Sequence, residues 1–299
     1  MAFKPPFAGI HAMAFALFDE AERLDRAAMR RQTQICLRLG VHGMAALGLA
    51  TEVSKLSLAE RRSVIDWVAE DTAGKVPLAF TIFGGSVAEQ VEQVKAAEAV
   101  KADWVILQPP MVGSFGAAEY IRFFGRIAEQ TALPVAIQNA PAYMGRGLSA
   151  DDISELVRRH PNICLIKGEG PATDIQHLIA VTEGRLPVMN GRGGLELADN
   201  LRAGCVGLIL APDTIDYALR AYDRFLAGDD AGAEAAYREV LPAIVFIMQS
   251  IESLLCHGKR IFGARAGIEI HDRAPAQRPS EFGLRLVQRY AGQLGPYAV

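Results

Sequence analysis

The sequence predicts an α/β protein, a closed (β/α)8 TIM barrel with additional C-terminal helices. Short apolar runs alternate with helical patterns from residue 8 to residue 228. Several of these runs, such as WVIL and ICLI, are unbroken hydrophobic stretches, the pattern of strands buried on both faces of a parallel sheet. Eight such units occur, and no Gly-rich fingerprint follows the first run, GIHAMAFAL, as a doubly wound dinucleotide-binding sheet would require.

The expected strands are residues 8–17, 43–47, 76–83, 103–108, 134–138, 163–167, 186–190 and 206–211. Ser57 with Glu60 and Ser86 with Glu89 have capping-box spacing, and Ser149 with Asp152 is a weaker version. Gly204 and Gly228 end helices that begin at Leu195 and Thr214, and Pro161 stops the helix before the sixth strand. Past Asp229 the strand pattern ceases. Residues 231–256 read as one long or broken helix and 280–294 as a final one. The expected organisation is therefore a barrel over 1–228. A helical extension over 229–299 would pack on its outside or form an oligomer contact.

Composition narrows the function. With 31 Lys plus Arg against 34 Asp plus Glu, the net charge is −3, which gives no field to hold a nucleic acid. Hydrophobic residues at 51% and charged residues at 22% exclude a disordered or fibrous chain. Cys36, Cys164, Cys205 and Cys256 are dispersed in apolar stretches without a C-x-x-C pair, so buried free thiols in a reducing cytosol are expected. The N-terminus lacks signal-peptide regions, and no apolar run reaches the roughly 20 residues that span a bilayer. A soluble, cytoplasmic protein without membrane partners is the expectation.

Barrel active sites lie at the C-terminal ends of the strands, so those ends hold the candidates. Lys167 closes ICLIK; burial there favours its neutral amine, as an imine-forming nucleophile requires, although a surface-loop lysine fits the same string. Glu169, between two glycines, could move a proton at the carbon beside an imine, or simply be solvated. Gln138 and Asn139 could orient a hydroxyl or carbonyl, or cap the turn before Pro141. The turn Gly48-Leu49-Ala50-Thr51-Glu52 could nest a carboxylate on its amides, with Glu52 preferred as partner of a buried backbone amide. In Asn190-Gly-Arg192-Gly-Gly, a helix start and a guanidinium could clamp an anion. His42, at the foot of the second strand, reads as structural. The six histidines have no H-x-H or H-E-x-x-H spacing, so neither a metal nor an organic cofactor is expected.

Several strings resemble the dihydrodipicolinate synthase / N-acetylneuraminate lyase family. They are Gly40-Val-His-Gly43 leading to Leu47-Gly-Leu-Ala-Thr-Glu52, Leu56-Ser-Leu-Ala-Glu-Arg61, Gln138-Asn-Ala-Pro141 and Ile163-Cys-Leu-Ile-Lys167. The resemblance runs in order from about Phe7 to Gly228. It implies a barrel, a homotetramer built as a dimer of dimers, and a 2-oxo acid bound as an imine on Lys167. The departures are specific. The threonines of the family's G-T-T-G-E turn are Leu49 and Ala50, its strand-five tyrosine is Gln138, its second relay tyrosine falls near Met111 or Val112, and its substrate-carboxylate arginine falls near Tyr143. These losses argue against dihydrodipicolinate synthesis and sialic acid cleavage. Gln-Asn-Ala-Pro followed by Lys-x-Glu is similar to dehydratases of 2-keto-3-deoxy sugar acids, notably 2-keto-3-deoxy-L-arabonate dehydratase, in which the glutamate two residues past the lysine is the base; here that is Glu169. Three activities therefore compete: dehydration of a 2-keto-3-deoxy acid, retro-aldol release of pyruvate, and binding of a 2-oxo acid with little turnover.

Overall fold

The computed structural model describes residues 7–298. Eight parallel strands close into a barrel in sequence order. They are β1 (Gly9–Met13), β2 (Gly43–Ala46), β3 (Leu78–Ile82), β4 (Trp104–Leu107), β5 (Val135–Asn139), β6 (Ile163–Gly168), β7 (Val188–Asn190) and β8 (Gly207–Leu210). The helices between them are α1 (Arg26–Leu39), α2 (Leu58–Thr72), α3 (Val87–Ala99), α4 (Ala117–Ala128), α5 (Pro141–Met144), α6 (Ala150–Arg159), α7 (Ala172–Val181), α8 (Leu197–Arg202) and α9 (Ile215–Leu226). The barrel closes where Gly9 of β1 pairs with Gly207 of β8. A Cβ on Gly207 would lie 2.0 Å from the Gly9 carbonyl oxygen, so the seam requires glycine.

Local chemistry sets the element ends. Asp25 caps α1 by accepting from the Ala27 and Ala28 amides at 2.9 and 3.0 Å. Both halves of the capping box form at Ser57–Glu60 and, fully, at Ser149–Asp152. At Ser86 only one half forms: Glu89 turns instead to the Gly85 amide and to Arg61. The first strand is shorter than its apolar run because the Gln32 side chain takes both polar groups of the Phe15 backbone, at 3.0 and 3.1 Å, and lifts the chain out of the ladder.

The C-terminal segment is broken rather than continuous. Helix α10 (Asp230–Ile247) is followed by a 106° bend, the short α11 (Ile251–Ser253), a π-helical turn at Leu254–Gly258, α12 (Lys259–Ala266) and α13 (Glu281–Leu294). Sequence reading placed these helices on the barrel's outside. The structure also brings Met248, Ile251 and Leu254 to the mouth of the barrel, where they line the space beside Lys167. The four cysteines are free, and no single helix among the described residues is long and apolar enough to cross a membrane.

Candidate active site

Strand register assembles the centre of the site. In the β5–β6 ladder Gln138 pairs with Lys167 and Asn139 with Gly168, so Gln138 and Lys167 lie side by side at the mouth. Both are buried. Glu169 follows directly, its amide held by the Asn139 carbonyl at 2.9 Å. Its Oε2 lies 3.1 Å from Lys167 Nζ and accepts a hydrogen bond from Gln138 Nε2 at 2.5 Å. Its Oε1 faces the β7–α8 loop, where the Arg192 amide is 3.5 Å away. A Cβ on Gly191 would come within 2.4 Å of that oxygen, so the loop approaches the carboxylate only because residue 191 has no side chain.

The space next to Lys167 and Glu169 is small, roughly 30 Å³, and is walled by Leu49, Ala50, Ile209 and Leu254 among others. It shares Leu49 and Ile251 with a vestibule of roughly 490 Å³ that Phe83, Met111, Tyr143 and Lys259 also line. A ligand would pass through the vestibule to reach the lysine.

The other sequence candidates have more structural duties than expected. In the 48–52 turn, the Thr51 amide donates to the Gly48 carbonyl at 3.0 Å and its hydroxyl to the Ala14 carbonyl at 2.6 Å. The amides of Leu49 and Ala50 have no hydrogen-bond partner among the described residues, so a carboxylate nest in this turn falls on those two and not on Thr51. Asn190 is buried and used up: its amide group donates to the Gly170 carbonyl and Asn200 Oδ1 at 2.9 and 2.7 Å, and its oxygen accepts from the Gly191 amide. It ties two loops together rather than facing a ligand. Arg192 does not open a helix of any length. It starts a three-residue 3-10 turn, Arg192–Gly194, with positive φ throughout. Its guanidinium donates to Glu196 at 2.5 Å and to the Gly170 carbonyl at 3.1 Å. Burial works against that charge, but Glu196 and the Tyr143 hydroxyl outweigh it. Tyr143 is half-buried, and burial raises its phenol above the usual range despite Arg192.

Glu52 does not partner a backbone amide. It sits at φ 53° and receives Lys55 Nζ at 2.6 Å and Lys259 Nζ from α12. Lys259 is almost wholly buried, and burial pushes its ammonium below the usual lysine range, against the opposing pull of Glu52. His42 accepts from the Ile10 amide at 3.2 Å and packs on Tyr222, well away from the mouth. Two functional-looking residues escaped sequence reading, Lys259 and Gln108. Nothing in the helical string around Lys259 marks it. Gln108, which ends WVILQ, obeys the same strand-end rule as Lys167 and was findable.

A model of the dihydrodipicolinate synthetase family matches residues 6–257. The chain belongs to this family. It is therefore a class I aldolase-type lyase acting on small molecules. Among its relatives, the 4-hydroxy-tetrahydrodipicolinate synthase of Methanopyrus kandleri is 28% identical over 239 residues, 78% of each chain. The N-acetylneuraminate lyase of Shigella boydii is 31% identical over 150 residues, half of each chain. In fold, the family member resembles YagE, a prophage protein of this family from E. coli K12 solved with pyruvate. The TM-score is 0.89, with 22% identity and coverage of 97% of this chain and 99% of that one. Dihydrodipicolinate synthase from Thermotoga maritima also gives a TM-score of 0.89, at 20% identity, covering 96% and 99%.

Proposed function

We propose that this family member dehydrates a 2-keto-3-deoxy sugar acid through an imine on Lys167. The single observation that supports this best is the placement of a carboxylate, Glu169, 3.1 Å from Lys167 Nζ with a non-titrating amide, Gln138, fixing it.

The neutral Lys167 amine attacks the C2 carbonyl, and water leaves to form the iminium. The iminium acidifies C3, and Glu169 takes a C3 proton, giving the enamine. The enamine electrons expel the C4 hydroxyl, which leaves as water with the proton Glu169 acquired, and C3=C4 forms. Hydrolysis of the conjugated iminium returns Lys167. The Leu49 and Ala50 amides hold the C1 carboxylate, and Tyr143 with Arg192 faces the distal end from the vestibule. A tyrosine relay is not used, since Gln138 has no proton to exchange at neutral pH. The protein is read as cytosolic, where four unbridged thiols persist, and the homotetramer comes from the family resemblance alone.

The relatives named as synthases and lyase keep a retro-aldol outcome as the second reading, because the same iminium serves both. Product analysis on a panel of 2-keto-3-deoxy acids separates them. The dehydratase releases a semialdehyde or deoxy-diketo acid and no pyruvate; stoichiometric pyruvate would assign the protein to cleavage.

A further inference from the structure

The hydrogen-bonded chain at the mouth does not end at Gln138. An ionised Glu169 only accepts hydrogen bonds, so Gln138 must turn its NH2 toward it and its oxygen away, toward β4. There Gln108 Nε2 donates to Gln138 Oε1 at 2.7 Å. Gln108 is fully buried. Its backbone amide donates to the Ile82 carbonyl at 3.1 Å, and its carbonyl accepts from Gln90 Nε2 of α3 at 2.9 Å. Gln90 in turn donates to the Gly84 carbonyl at 3.0 Å. The end of β4 is thus held by a second glutamine.

This arrangement leaves the side-chain oxygens of Gln108 and Gln90 buried without a partner among the described residues. Each such oxygen costs stability, and an aliphatic side chain continuing WVIL would avoid the loss. A buried amide kept at that cost marks a requirement for its donor.

We propose that Gln108 is a positioning residue that locks the Gln138 amide in the orientation donating to Glu169, and so aims the Glu169 carboxylate at the proton it removes. The proposal rests on Glu169 as the base. Without a donor at position 108, the Gln138 oxygen is left buried and unpartnered and only Glu169 itself still orients the amide, so amide and carboxylate lose their fixed aim.

The test uses the purified full chain and pyruvate in D2O. Loss of the pyruvate methyl signal reads proton transfer at C3, and borohydride trapping reads the imine. Gln108→Leu is expected to trap pyruvate as the wild type does while exchanging methyl protons about ten- to a hundredfold more slowly. Gln108→Glu, of matching shape, carries a donor only while protonated. Its exchange rate should fall relative to wild type as pH rises over about 5 to 8. The groups contacting position 108 directly, Gln90 and Gln138, are neutral. The charged groups one contact further are Glu169 and Lys167 on β6 and Arg61 with Glu89 beside the Phe83 and Gly84 backbone. A purely structural role would lower imine trapping in step with exchange, so trapping that keeps to the wild-type profile while exchange falls marks positioning; if Gln108→Leu does not fold, the Glu variant alone decides. Wild-type exchange in Gln108→Leu, or a wild-type pH profile in Gln108→Glu, overturns the proposal. Failure of the underlying reading looks different: Glu169→Gln itself then exchanges like wild type, and both fall together.

Discussion

Gln138 and Lys167 stand opposite each other across the β5–β6 ladder, and one carboxylate oxygen of Glu169 serves both. The lysine that would hold the substrate and the carboxylate that would move its proton are therefore set by one stretch of backbone. Their geometry does not depend on a mobile loop.

Glu169→Gln should keep imine formation and lose proton transfer. Removing a general base costs about 10² to 10⁴ in rate. Methyl-proton exchange of pyruvate is expected to fall by that factor while borohydride trapping at residue 167 persists.

Gly191→Ala places a methyl group 2.4 Å from Glu169 Oε1, far inside van der Waals contact. The carboxylate must shift, and a displacement of about 1 Å is enough for a loss on the order of a hundredfold. Steady-state exchange against thermal melting separates this from simple destabilisation: the rate should drop far more than the melting temperature. A variant with unchanged exchange would place Glu169 outside the proton path.

Much of this was legible beforehand. The alternation of unbroken apolar runs with capped helices predicts the barrel because its strands are buried on both faces. The strand-end rule picks Gln138, Lys167 and the nearby Glu169 for the same reason, since side chains emerging there face one mouth. Asn190 turns instead to nearby backbone and to Asn200, which the sequence does not reveal because a Gly-rich loop looks alike whether its polar groups face a ligand or the protein itself. The role of Glu52 depends on Lys259, more than 200 residues away in sequence. No local pattern carries that pairing. The wall supplied by Ile251 and Leu254 is similarly a product of the bend after α10.

Glu52→Gln tests the buried pair with Lys259. It leaves Lys259 with the Ala16 carbonyl, 3.0 Å away, and only the non-bonded charge of Asp272. Breaking a buried pair from one side typically costs about 3 to 5 kcal/mol. Chemical denaturation should find a loss of this order, partly recovered by adding Lys259→Met. A neutral effect of the single change would mean that Lys259 already sits uncharged.

Two buried groups give stability opposing pH slopes. Burial pushes Asp213 up from 3.8 to about 7, so the native state keeps a proton that the unfolded chain loses, and stability falls as pH rises through that window. Burial lowers His11 from 6.5 to about 4, so the unfolded chain binds a proton first, and stability falls as pH drops through that window. Each is worth on the order of 3 to 4 kcal/mol at full extent. Asp213→Asn removes the first effect. Its melting temperature should exceed that of the wild type at pH 8, and its unfolding free energy should climb with pH between about 4 and 6.5. A variant less stable than wild type at pH 8 would show that the Asp213 carboxylate is better accommodated than its unpartnered Oδ2 implies.

The most direct measurement is covalent trapping. The full chain is incubated with pyruvate and borohydride, digested, and the modified residue located by mass spectrometry. The account predicts a single reduced adduct on Lys167, absent from Lys167→Met and retained in Glu169→Gln. An adduct on Lys259 or elsewhere, or no adduct with a 2-oxo acid that the protein demonstrably turns over, would contradict it.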